Sequence, residues 1–245
     1  MNRLTRATVG CAAAAVTLIG LSSTAFAAES TGPAAASTSS PAPDHGQSLT
    51  AIQQRAAAAI AKRLASLSVA INDVTNSSAI SAGDKTTLLA TLNADVTGLT
   101  ALGVTIAADT TAQQALTDYK TIFAGFRVYA LALPQVRFAA AADTITGTVL
   151  PKLTDAQSKL AALLAGVDSG KNTTAVQAKM ADLATQITAI TSETTGLSST
   201  VLAYTPAQYD ANHALLSPSR AALAISRNDA RTARGDIAFV TKVLA

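Results

Sequence analysis

From Ser48 to the C-terminus the large apolar side chains recur at steps of three and four residues, and no other feature constrains the fold so tightly. That spacing winds one stripe along a helix, so each segment must bury its stripe against a neighbour. Five helical segments are predicted. The first runs from about Ser48 to Ser78 on Leu49, Ile52, Ala56, Ile60, Leu64, Leu67, Ile71 and Val74. The second, to about Ala108, uses Leu89, Leu92, Val96, Leu99, Gly103 and Ile106, and opens at Ser81 and Asp84, spaced as a capping box. The third, from about Thr111 to Val167, is capped by Thr110 with Gln113 and ends at Gly166 and Gly170. It contains Pro134 and Pro151, each expected to kink or break it, because an interior proline lacks a backbone donor and crowds the preceding turn.

Thr174 with Gln177 caps the fourth segment, whose stripe Val176, Met180, Leu183, Ile187, Ile190, Thr194, Leu197 and Val201 keeps a strict four-three spacing suited to coiled-coil packing. Thr205, Pro206 and Gln208 then supply an N-cap, a first-turn proline and the reciprocal glutamine. That fifth helix is read as reaching the C-terminus, with a seven-residue seam of Tyr209, Leu216, Leu223, Ala230, Ile237 and Leu244 that Pro218 bends. Connections of about 2 to 5 residues force consecutive helices antiparallel. The expected fold class is therefore all-α: two tandem three-helix bundles, residues 47–133 and 134–245, sharing a long central helix kinked at Pro134. The alternative is a single five-helix bundle in which the chain folds back at Pro134. Composition fits helices with small-residue seams, since 56 of 245 residues are Ala and 33 are Thr, while only 13% are charged. Thr and Ser stand in for charges as the polar covering. Thr pairs spaced eleven apart, such as Thr86 and Thr97, are no commoner than chance, which removes an antifreeze-helix reading.

The first 27 residues read as a secretory signal: Arg3 and Arg6, an apolar stretch from about Val9 to Leu21, and Ala25-Phe26-Ala27 as a small-residue cleavage site. The stretch is short of the ~20 residues a spanning helix needs, so a retained anchor is the lesser reading. Residues 28–46, almost purely Ala, Ser, Thr and Pro, cannot offset the entropy of ordering and read as a disordered spacer. The lone Cys11 falls inside the signal, so the mature chain would hold together by packing alone. Neither a lipoprotein signal at Cys11 nor a sortase signal at Leu150-Pro151 fits its surroundings.

Removal of Arg3 and Arg6 would leave 16 basic against 15 acidic side chains, without the sustained basic face that nucleic acid requires. No cofactor is called for and no transmembrane segment is expected in the mature chain. With one cysteine and two histidines, His45 in the spacer and His213 near Asp210, neither a Cys/His nucleophile nor a multi-histidine metal site can be built. No phosphate-cradling glycine loop and no close carboxylate pair are evident. His213 and Asp210 read as a surface pair on one helix. The expectation is a protein that is not an enzyme.

Two concentrations remain. Tyr119, Phe123, Phe126, Tyr129 and Phe138 lie within twenty residues; Tyr119, Phe123 and Phe126 share a helical face and read first as core, with Tyr129 off that face near Arg127. The second reading makes Tyr119, Phe123, Phe126, Arg127 and Tyr129 a ligand groove at the proline kink. On the last helix Arg220, Arg227 and Arg234 recur every seven residues, with Arg231 one turn before Arg234. They read first as a charged coiled-coil flank with Asp229 and Asp236 as partners, and second as a strip that binds an anionic surface.

The segments Phe126–Asp143 (FRVYALALPQVRFAAAAD) and Tyr204–Leu216 (YTPAQYDANHALL) resemble uncharacterised Ala-rich secreted helical proteins of high-GC Gram-positive bacteria. The resemblance implies an all-helical fold and an extracellular or wall-associated place, and it supplies no active site. The functional expectation is a secreted, non-enzymatic spacer or interaction module facing a cell-envelope protein or polymer. The alternative is an extracellular carrier of an apolar small molecule held near residues 119–138.

Overall fold

The computed structural model describes residues 48–245; the signal segment, Cys11, His45 and the spacer expected at 28–46 lie outside the described residues. The described residues fall in one compact unit. They are mostly helical, with no strand among them.

The first helices are α1 (Leu49–Asn76), α2 (Ala82–Ala108) and α3 (Ala112–Ala124), which pack on one another. Gln53 Nε2, at the start of α1, donates to the last carbonyls of α2, Ile106 at 3.1 Å and Ala107 and Asp109 at 3.3 Å, so α1 and α2 run antiparallel. Arg55 and Arg63 lie over the rings of Tyr119 and Phe123, which sets α3 parallel to α1. Their stripes meet in one apolar cluster that includes Ala56, Leu67, Val74, Leu88, Leu92, Leu99, Ile106 and Ile122.

The long third segment breaks at Gly125–Arg127, where Arg127 takes a left-handed φ of 45°, and not at either proline. From Val128 to Ala165 the chain is a continuous helical run: a π-helical turn (Val128–Ala132), α4 (Leu133–Thr144), a second π-helical turn (Ile145–Val149) and α5 (Leu150–Ala165). Each proline stands in the first turn after a π segment, preceded by Leu. A proline ring collides with the carbonyl four residues back, here Ala130 or Gly147, and both belong to the widened turns. The Leu133 and Leu150 amides bond five residues back, to Val128 and Ile145, so the extra residue in the turn makes room for the ring. The kinks expected at Pro134 and Pro151 are thereby replaced by two wide turns.

Next come α6 (Thr174–Thr194), α7 (Leu197–Leu202), α8 (Pro206–Ala211) and α9 (Ser217–Leu244). Lys179 near the start of α6 bonds Asp236 near the end of α9 at 2.8 Å, which makes these two antiparallel. Lys171, just beyond α5, donates to the carbonyl of Leu244, bringing the ends of α5 and α9 together. The three helices enclose a second cluster, from Ala142 and Ile145 through Leu153, Leu160, Leu183 and Ile190 to Leu223, Ala230, Ile237 and Val240. α4 serves both clusters, since Ala139 belongs to the first and Ala142 to the second.

Two further expected helices are interrupted. The fourth segment ends at Thr194, and Gly196, at φ 70°, turns the chain before α7. The fifth divides at Asn212–Leu216, so Pro218 stands in the first turn of α9 and does not bend it. The capping box at Thr205 and Gln208 forms as expected. The caps of α3 and α6 fall on Thr111 and Thr173, one residue from Thr110 and Thr174. At Ser81 only half the box forms: its Oγ accepts from the Asp84 amide at 3.2 Å, while its own amide donates to Asp143 of α4 at 2.6 Å.

α2 is long and apolar enough, by length and composition, to cross a membrane, with a mean hydropathy of 1.3 over its most apolar window. Here its stripe is buried, and its outward threonines at 86, 87, 91, 97, 100 and 105 each donate to the carbonyl four residues back. High hydropathy follows from threonine replacing charge on the solvent face.

One helical glycine is required by packing. A Cβ at Gly98 of α2 would come within 2.6 Å of the Phe126 ring. Alanine is the better helix former by roughly 1 kcal/mol, but overpacking a core contact costs typically about 1–3 kcal/mol. Gly98→Ala is expected to lower the melting temperature, and Gly98→Ala combined with Phe126→Ala to be more stable than Phe126→Ala alone. An additive double-mutant cycle would refute the contact.

Candidate functional site

The aromatic segment does not form one stripe, because α3 ends at Ala124 and Arg127 reverses the backbone. Ile122 and Val128 are the fully buried residues there; Phe126 is half-buried against the first cluster, and Phe123 is 38% exposed. Phe123 is thus no core residue. Its ring meets Tyr119 edge to face at 5.1 Å, and the Arg63 guanidinium lies 4.4 Å from Phe123 and 5.3 Å from Tyr129. Arg63 is itself almost wholly buried and donates to the Ala59 carbonyl at 3.0 Å. Tyr129 Oη donates to the Lys62 carbonyl and meets Ser66 Oγ, each at 3.2 Å. Tyr119, Phe123 and Tyr129 therefore form a cation–π stack on α1, while Phe126 fills the space over Gly98.

Arg127 points the other way. Its Nε approaches Asp210 Oδ1 at 2.5 Å and its guanidinium lies 5.9 Å from the Tyr209 ring, tying the α3–α4 break to α8. This overturns the pairing of Asp210 with His213: the histidine sits in the turn after α8, edge-on to Tyr209 at 5.2 Å. Beside the ion pair is an open depression of about 550 Å³ lined by Lys120, Thr121, Gly125, Thr205, Pro206 and Asp210. Ala124 and Ala207 complete a lining that is more apolar than polar, and the aromatic rings of the segment do not line it.

Local sequence does not reveal the polar junction around α4. Gln135 is buried, and its Nε2 donates to the Val201 and Tyr204 carbonyls at 2.8 and 2.9 Å, satisfying the free end of α7. Asp143 bonds the Ser81 amide, and Ser198 of α7 donates its hydroxyl to Asp84. The Asp84 carboxylate stands close enough to Asp143 to act on it, a carboxylate pair that the sequence does not announce. Burial first, then Asp84, raises the Asp143 pKa against the pull of the Ser81 amide. Gln135 and Asp143 hold backbone groups in place, Asp143 as a cap at the start of α2, while the Ser198 bond to Asp84 ties α7 to α2 through side chains. Among the described residues no group of three or more His, Cys, Asp or Glu is placed to hold a metal ion.

On α9 the residues Arg220, Arg227 and Arg231 are exposed and Arg234 half-buried. Asp236, the expected partner of the row, is only 3% exposed and bonds Lys179 on α6, which raises the lysine pKa. Comparison with known proteins finds no matching family model, no matching curated protein and no matching solved structure.

Three substitutions separate the roles within the aromatic segment. Phe126→Ala removes a ring from the core and is expected to cost about 3 kcal/mol, at the low end for a buried phenylalanine because the ring is partly open. Phe123→Ala and Tyr129→Ala each lose an exposed stacking contact worth roughly 0.5–1 kcal/mol. Thermal melts give the order, and a Phe123→Ala loss as large as that of Phe126→Ala would contradict it. Gln135→Leu strands two carbonyls and is expected to cost about 1–3 kcal/mol at similar volume; an unchanged denaturation midpoint would show that water replaces the amide.

Burial raises the Asp95 carboxyl on α2 from 3.8 to about 6. An acid with a raised folded pKa destabilises the fold once ionised, so the loss is absent below about pH 4 and grows as pH rises through about 6. Allowing for the water it still meets, the cost is roughly 1–2 kcal/mol at neutral pH. Asp95→Asn should stabilise at pH ~7 and do little at pH ~4. Urea titrations at the two pH values check the sign, and an equal effect at both would assign it to something other than ionisation.

Proposed function

We propose that the chain is a secreted, non-enzymatic helical module of the bacterial cell envelope, extracellular or wall-associated, acting as a spacer or interaction element. The observation that supports this most is the placement of the ionisable and aromatic groups. Asp143, Asp84, Gln135 and Asp236 hold helix ends and seams, and the rings of the aromatic segment stack on α1 or pack against the apolar clusters, Phe126 on the first and Phe138 on the second. Each of these groups has a structural partner, and the surface between them is largely threonine turned back on its own helix. The leader and spacer read from the sequence add the compartment and a tether.

The second reading is a carrier of an apolar molecule near residues 119–138, and the depression beside Gly125 favours it by position. Its open shape weighs against it, because carriers enclose most of an apolar ligand. Expression with the native leader in a Gram-positive host decides between them. The expected product begins at Ala28, is recovered from medium or wall, and yields no stoichiometric apolar molecule on solvent extraction after a high-salt wash. A retained leader would remove the released module, and an equimolar lipid or quinone in the extract would replace it with the carrier.

A further inference from the structure

We propose that the outward face of α9 docks on an anionic lipid bilayer, its arginine row meeting headgroup phosphates and Ile225, Phe239 and Val243 reaching the apolar boundary behind them. The inference deepens the interaction-module reading and rests on it.

At 100° per residue, Arg220, Arg227, Arg231 and Arg234 fall within a sector of about 60° and extend over about 21 Å of helix. Lys242 prolongs the row toward the C-terminus. The two acids of α9 do not interrupt it. Asp229 lies about half a turn from Arg220, and Asp236 is buried and held by Lys179. Among the described residues Arg220, Arg231 and Arg234 meet no carboxylate; Arg231 reaches only the Asn228 amide oxygen at 3.4 Å. The local charge is therefore positive although the chain as a whole is close to neutral.

The second half of the argument is apolar. Ile225, Phe239 and Val243 are 47%, 40% and 36% exposed, on the opposite margin of the same outward face. Between the margins stand Ala221, Ala224, Asn228 and Gly235, which let a flat surface approach the helix closely. A soluble polyanion would need the arginines alone. A basic margin beside exposed large apolar side chains fits an interface that is anionic in front and apolar behind. Arginine, with its planar fork, suits phosphate oxygens. The opposite stripe of α9, from Leu223 through Ser226, Ala230 and Ala233 to Val240, is buried against the bundle, so the docking face is held straight.

The test uses residues 48–245, which contain both clusters and every contact described, so that the apolar leader does not contribute. Co-sedimentation is measured with vesicles of phosphatidylcholine, the same with about a third phosphatidylglycerol, and with soluble polyphosphate as competitor. Binding is expected only to the anionic vesicles, falling steeply as salt approaches ~0.5 M. Replacing Arg220, Arg227, Arg231 and Arg234 with Gln should weaken it by up to roughly a thousandfold. Phe239→Ser, at an exposed site, should weaken it several-fold with an unchanged melting curve. Failure to bind anionic vesicles, or full binding by the four-Gln variant with native circular dichroism, overturns the proposal. Tight polyphosphate binding that is indifferent to Phe239→Ser overturns it too, in favour of a polymer partner. Any of these failures leaves the secreted-module reading standing, because that reading is decided by the processed N-terminus and the extract.

Discussion

The run from Val128 to Ala165 has to cross two prolines without breaking, and the rest of the fold hangs on how it does so. Each Leu-Pro step is preceded by a turn that holds one residue more than an α-turn, so the carbonyl that would strike the ring is displaced. Because the run stays helical, α4 leaves the first apolar cluster at Ala139 and enters the second at Ala142 within one turn. A break at Pro134 would have freed the two clusters from each other. Continuity instead fixes Gln135 under the end of α7 and Asp143 over the start of α2, 66 and 62 residues away in sequence. One helix thereby caps two others that belong to different parts of the chain.

The helices were legible in the sequence because burial imposes a period, and the period survives everywhere the core is continuous. The α9 seam is the clearest case, with Leu223, Ala230 and Ile237 buried at seven-residue steps and Ser226, Ala233 and Val240 between them. Backbone interruptions were not legible, for the same reason. Thr194, Leu197 and Val201 keep their four-three spacing and remain buried on both sides of the turn at Gly196, so the stripe reports the face and hides the break. Prolines drew the expected kinks to the wrong residues, since a wide turn leaves no mark in an apolar pattern. The actual break, at Gly125–Arg127, puts a non-glycine residue in the left-handed region, where the ion pair to Asp210 and the contact with Tyr209 hold it.

The aromatic candidates were half legible on the same terms. A continuous helix would have set Tyr119, Phe123 and Phe126 on one face; ending α3 at Ala124 turns Phe126 into the core over Gly98 and leaves Phe123 outside with Tyr129, around Arg63. Long-range polar pairs have no local signature at all. Asp143 completes the cap that Asp84 was expected to complete, and Asp84 is engaged by Ser198 from 114 residues away.

A chain with few charges gains most from where they are put. Asp84, Asp143 and Asp236 are drawn into helix caps and seams, and Asp95 into a partly buried site, so several of the carboxylates counted in the net charge project little negative field outward. Most of the basic groups of α9 stay at the surface. Near-neutral composition and a strongly positive helix face are therefore compatible, because burial sorts the two signs to different places. The withdrawn acids carry a cost of their own: burial raises the pKa values of Asp95 and Asp143, so ionising them as pH rises lowers the stability of the fold. A positive helix face and a fold that tightens in mild acid are two consequences of the same segregation of charge.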